Sequence, residues 1–68
     1  MNVVLNGESR ELREGATVDD AVEASGAPPE GRGVAVAMDA EVLPRTGWRE
    51  TTIPDGARLE IVRATAGG

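Results

Sequence analysis

Residues 2–13 read Asn2-Val3-Val4-Leu5-Asn6-Gly7-Glu8-Ser9-Arg10-Glu11-Leu12-Arg13, and this stretch decides the fold. Val3-Val4-Leu5 is a short apolar run of strand character. Asn6-Gly7 follows it, the strongest two-residue hairpin signal, because both central residues tolerate positive φ. The return strand falls over residues 9–13, with Leu12 as its inward side chain. The chain therefore starts on a β-hairpin rather than a helix.

Downstream of the hairpin, Gly15-Ala16 breaks the strand. Thr17-Val18-Asp19-Asp20 then reads as a helix start, since Thr17 can cap a free amide and the two aspartates sit at the positive end of the dipole. Val18, Ala21 and Val22 fall on one helical face. Gly26 suits a left-handed cap and Pro28-Pro29 forbids continuation, so the predicted helix spans about 18–25. A Pro- and Gly-rich loop over 27–33 leads into a third strand. There Val34, Val36 and Met38 point one way, and Ala35 and Ala37 the other. Asp39-Ala40 reads as a turn, and Glu41-Val42-Leu43 as a shorter strand ended by Pro44. Residues 46–52 read as irregular, with Trp48 as a lid on the core. Pro54-Asp55-Gly56 is a tight turn. The last strand covers 58–62, with Leu59 and Ile61 inward.

One helix against such strands gives an α+β two-layer domain: a mixed sheet of about five strands with the helix packed on one face. The first and last strands can lie side by side at its centre. Val3, Leu5, Leu12, Val18, Val22, Val36, Met38, Leu43, Leu59 and Ile61 are the expected core. The division is a folded domain over 1–63 and a flexible C-terminal tail over 64–68 that ends in Gly-Gly.

The chain has 68 residues, no Cys, no His and a formal charge of −5. A domain of this size buries only about 60% of its unfolded surface. With neither disulfides nor the usual zinc ligands, its stability must come from aliphatic packing. The negative charge disfavours nucleic acid and anionic lipid. No apolar run approaches the ~20 residues of a membrane span, and no signal peptide precedes the first strand. A cytoplasmic protein, monomeric when free, is expected. Without His, Cys, Tyr or Lys, the usual general bases and nucleophiles are missing. A carboxylate pair needs a cleft that so short a chain can hardly build. No catalytic residue and no bound cofactor are expected. Asp19, Asp20 and Glu23 read as a solvated helix face rather than a metal site.

The order of elements matches the β-grasp fold. Leu5-Asn6-Gly7-Glu8, Gly15-Ala16-Thr17-Val18, Val36-Ala37-Met38, Val42-Leu43-Pro44-Arg45, Trp48, Asp55-Gly56 and Ala66-Gly67-Gly68 also fall in sequence. Together they resemble the thiamine-biosynthesis sulfur carriers, the ThiS family, over nearly the whole chain. Departures occur at Asp39, where the family commonly has Asn, at Ala57, in the helix at Ala21-Val22, and at Ala66. These leave fold and tail intact and bear on which pathway the carrier serves.

That resemblance implies a function carried by the Gly68 carboxylate. An E1-like adenylyltransferase would adenylate Gly68 with ATP, a persulfide sulfur donor would replace AMP to leave a thiocarboxylate, and thiazole synthase would take the sulfur. The residues are suited to this. Gly67 and Gly68 carry no Cβ and can slide into a narrow channel. A terminal carboxylate, with a reference pKa of about 3.3–3.7, is anionic at neutral pH. The stretch from Arg63 to Gly68 can reach about 20 Å when extended. Ala66, Gly67 and Gly68 are the part expected to enter the partner's active site. By alternation Val4, Ala35, Ala37 and Val62 face away from the helix and form the candidate docking patch. Alternatives are a sulfur carrier for molybdopterin or another metabolite, and a ubiquitin-like protein modifier.

Overall fold

The computed structural model describes residues 1–27 and 32–63. Strand β1 is Asn2–Leu5 and β2 is Glu8–Glu11; helix α1 is Val18–Ala24. Strands β3 (Val34–Met38), β4 (Glu41–Leu43) and β5 (Arg58–Arg63) follow, with a single 3₁₀ turn at Arg45–Gly47. The five strands form one sheet in the order β2-β1-β5-β3-β4. The first and last strands are central and parallel, pairing Val4 with Arg58 and Leu5 with Leu59. The other neighbours are antiparallel. This is the mixed sheet with one helix that the sequence predicts. The return strand of the hairpin stops at Glu11, however, so Leu12 lies just beyond it.

The turns follow from backbone chemistry. Asn6 and Gly7 both have positive φ, 51° and 82°, as a two-residue hairpin requires for its twist to match the strands. Asp39 and Ala40 do the same between β3 and β4, at 50° and 71°. Ala40 carries a Cβ in a conformation that costs an L-residue about 1–2 kcal/mol.

Both turns also hold β5. The side chain of Asn6 accepts the Ile61 N–H at 2.7 Å and donates to the Ile61 carbonyl at 3.1 Å. It thereby supplies a strand partner where β1 has ended. On the other side, Asp39 N–H donates to the Arg58 carbonyl at 2.8 Å and its carboxylate accepts the Arg58 N–H at 3.0 Å. The acceptor role that an Asn would fill is thus kept by Asp39.

Helix α1 is fixed at its start by a full capping box. The Thr17 hydroxyl accepts the Asp20 N–H, and the Asp20 carboxylate accepts the Thr17 N–H. That backbone N–H, ahead of the Thr17 hydroxyl and the Arg13 guanidinium, holds the Asp20 carboxyl below the ordinary carboxylate range. Val18 and Asp19 donate their amides to the Thr51 and Trp48 carbonyls at 2.9 and 3.2 Å. The first turn of the helix is therefore satisfied by protein groups and presents no open anion cradle.

The core lies between α1 and the inner sheet face. It contains Val3, Leu5, Val18, Ala21, Val22, Val36, Leu59 and Ile61, with Leu12, Met38 and Leu43 partly buried against it. Ala27, Trp48, Ile53 and Ala57 belong to the same cluster, and Ala16 is fully buried as well. Trp48 is not a lid. It is buried within the cluster, and its indole N–H donates to the Leu43 carbonyl at 2.9 Å. The segment read as irregular is tied to the helix start, since Ile53 N–H donates to the Ala16 carbonyl at 2.9 Å and Thr52 bridges Thr17.

Candidate functional site

The chemistry-bearing residues proposed from sequence, Ala66, Gly67 and Gly68, lie outside the described residues, as does all of 64–68. What the fold does place is the root of that segment and the surface around it. Strand β5 runs to Arg63, which pairs with Val34 at the start of β3. Arg63, the last described residue, thus lies on a central strand, at the end of the sheet where β3 begins and α1 ends.

The outer face of the sheet follows from register. Ala35 lies directly opposite Val62, and Ala37 lies between Glu60 on β5 and Val42 on β4. Ala35, Ala37 and Val62 are thus brought together. Val42 completes the group, and it and Val62 are the large apolar side chains most exposed to solvent, at 74% and 61%. The two alanines form a low floor along β3, with Val62 and Val42 rising on either side. Val42 was legible in principle. A two-residue turn at Asp39-Ala40 forces residue 42 onto the same face as residue 37.

Val4 does not join this group. It faces outward, but its neighbours are Ser9 on β2 and Arg58 on β5. Because β1 and β5 are parallel, Val4 lies level with Arg58, four positions before Val62. At about 3.3 Å per residue that is roughly 13 Å away, with Arg58 and Glu60 between. The expectation of a four-residue patch including Val4 assumed alternation without register, and the register separates it.

Arg58 and Glu60, with Asn6 and Gly7, line a shallow hollow on this face. The Asn6 amide is already committed to Ile61, and the two charged side chains are exposed. Such a hollow lacks the converging buried polar groups of a catalytic pocket. Among the described residues no group of three or more His, Cys, Asp or Glu is arranged to hold a metal ion. Asp20 is engaged with Thr17 and with Arg13, whose guanidinium donates at 2.9 Å. Likewise, no helix among the described residues is long and apolar enough to cross a membrane. What this surface offers is exposed apolar area at Val42 and Val62, suited to contact rather than to bond-making chemistry.

Comparison with known proteins gives a consistent result. The model of the ThiS family matches residues 3–68. A curated relative, the thiazole synthase of Paramagnetospirillum magneticum (strain ATCC 700264 / AMB-1), is 34% identical over 68 residues. All of this chain is aligned, but it spans only 20% of that relative. Among solved structures, the crystal structure of the thiamine biosynthesis protein ThiS from Geobacter metallireducens is 28% identical, with a TM-score of 0.80 and full coverage of both chains. A solution structure of a thiamine biosynthesis protein from the same organism gives a TM-score of 0.81 at 28% identity, covering 100% of this chain and 88% of that one.

Proposed function

The chain belongs to the ThiS family, and from that premise we propose that it is a sulfur carrier of thiamine biosynthesis whose working group is the Gly68 carboxylate. The observation that carries this reading is the family match across residues 3–68, which takes in the Gly67-Gly68 end as well as the fold. The carrier is a co-substrate of partner enzymes and supplies no catalytic side chain.

The chemistry follows from the leaving group. Oxide cannot be displaced from a carboxylate, so the carboxylate must first be activated. One carboxylate oxygen attacks the α-phosphorus of ATP, held by an E1-like adenylyltransferase, and pyrophosphate departs. The terminal sulfur of a donor persulfide then attacks the acyl carbon and AMP leaves. A thiol reduces the resulting S–S bond, giving a thiocarboxylate on Gly68 and a disulfide. Thiazole synthase takes that sulfur into the thiazole ring. The similarity of this chain to one fifth of a protein named thiazole synthase supports that pairing.

Docking is assigned to Ala35, Ala37, Val42 and Val62 on the outer sheet face. In the bound state this group is covered, and a carboxylate there would lose its water without gaining a partner. Val62→Asp is expected to leave the fold intact, since Val62 is 61% exposed. It should weaken binding to the adenylating enzyme at least about tenfold. Val4→Asp, outside the group, serves as the comparison. Equal affinities for Val62→Asp and the unaltered chain, measured by calorimetry on folded proteins, would remove the docking assignment.

The function itself is tested by reconstitution. Incubated with the adenylating enzyme, ATP and a persulfide donor, the intact chain should exchange one oxygen for one sulfur. Fragmentation mass spectrometry should place that exchange on Gly68. Conjugates to other proteins through Gly68 would instead indicate a modifier.

A further inference from the structure

Helix α1 has no basic residue in its last turn, although that end carries the negative pole of the dipole. Two arginines from the sheet supply the missing cations. Arg10 on β2 donates to the Ala24 carbonyl at 3.2 Å, and Arg63 at the end of β5 donates to the Gly26 carbonyl at 2.9 Å. Both project from the helix side of the sheet. Arg10 pairs with buried Val3, and Arg63 follows outward-facing Val62. Gly26 makes this possible. Its φ of +83° turns the chain out of the helix, as a left-handed cap does.

Arg63 differs from Arg10 in its place on the strand. Parallel pairing of β5 with β1 ends at Leu59. Beyond it the β1 side of β5 is held by the Asn6 side chain at Ile61. At Arg63 the contacts among the described residues are the β3 pairing with Val34 and the guanidinium on Gly26. The latter joins residues 37 positions apart. It is the last side-chain tie in the described chain before Gly68.

We propose that Arg63 is a positioning residue: its guanidinium latches the end of β5 to the end of α1 and so sets the direction in which the chain leaves the sheet. Sulfur transfer needs the Gly68 carboxylate to enter an enzyme while the sheet docks alongside. A strand end already fixed in direction loses less freedom on entry, which favours association without altering the chemical step. Arg63 touches no reacting atom in this scheme. Its effect therefore belongs in KM and not in kcat.

Two measurements on Arg63→Met, which keeps the aliphatic stem and removes the donors, decide this. In the free protein, ¹⁵N relaxation should show increased fast motion at Ala64 and Thr65, with a shifted Gly26 environment. Thermal stability should change little, because the contact is exposed. In ATP–pyrophosphate exchange with the adenylating enzyme, KM for the carrier should rise about twofold to fivefold, the scale of an exposed charged contact, with kcat unchanged. Arg63→Lys, retaining a donor and the charge, should fall between. Unchanged relaxation at Ala64 and Thr65 overturns the latch, even if KM rises, because Arg63 would then be touching the enzyme directly. Increased motion with unchanged KM overturns the positioning role. The kinetic arm rests on the sulfur-carrier reading. If the unaltered chain is not adenylated at all, that reading fails, while the relaxation arm still decides the latch.

Discussion

Replacing Leu59 with alanine is expected to cost about 2–5 kcal/mol, measured as a fall in the urea midpoint at unchanged slope. Leu59 has no solvent exposure and sits on the central strand. It is flanked by Leu5 on β1 and Met38 on β3. Its carbonyl also accepts the Asn6 N–H at 2.9 Å, so collapse of the surroundings into the cavity would pull on the first hairpin. At roughly 0.05–0.15 kcal/mol per residue, a domain of this length has about 3–10 kcal/mol in total. The substitution therefore removes a large share of it, and with no Cys in the chain no disulfide can offset the loss. Leu43→Ala should cost clearly less, because Leu43 is only partly buried at the end of edge strand β4. A Leu59→Ala penalty below that of Leu43→Ala would show that β5 is not the centre of the core.

Much of this arrangement was legible in the sequence because it rests on local rules. Asn6-Gly7 demands a hairpin, Thr17 with Asp20 demands a helix start, and alternation in β3 and β5 sorts inward from outward residues. The structure follows these readings closely. What escaped was non-local. Ile53 and Ala57 flank a Pro-Asp-Gly turn and show no periodicity, so nothing in their vicinity marks them as buried. Ile53 is buried where residues 48–53 hydrogen-bond to the start of α1, and Ala57 where its carbonyl accepts the Val4 N–H from β1. Trp48 reads only as a lid on the core for the same reason, since a lone aromatic in an irregular stretch gives no direction. On the outer face, alternation identified Ala35, Ala37 and Val62 but could not supply register. A parallel pair between the two ends of the chain placed Val4 beside Arg58. The hairpin across Asp39-Ala40 placed Val42 beside Ala37. The cap on α1 supplied by Arg10 and Arg63 was hidden too, because both arginines come from other elements.

A chain lacking Gly67 and Gly68 is expected to fold normally and to lose its function altogether. The fold expectation rests on the core, which draws on residues between Met1 and Ile61. Far-ultraviolet circular dichroism and the urea midpoint should therefore match those of the full chain. The functional expectation is total rather than graded, because the carboxylate left on Ala66 would lie two residues, about 7 Å, short of an extended reach. It would also carry a methyl branch next to the reacting carbon. Reconstituted with the adenylating enzyme, ATP and persulfide, the truncated chain should acquire no sulfur. In cells, replacing the full chain with this variant should create a requirement for thiamine or its thiazole half, while molybdenum enzymes remain active. The reverse outcome, lost molybdenum-enzyme activity with normal thiamine synthesis, would transfer the carrier to molybdopterin while keeping its chemistry. Normal growth without supplements would remove the carrier reading itself, since that reading requires a glycine carboxylate at the backbone terminus. The side-chain carboxylates of the folded part extend from a packed domain and cannot thread a channel as a backbone terminus does. The terminal position, and not acidity, is what the proposed chemistry requires.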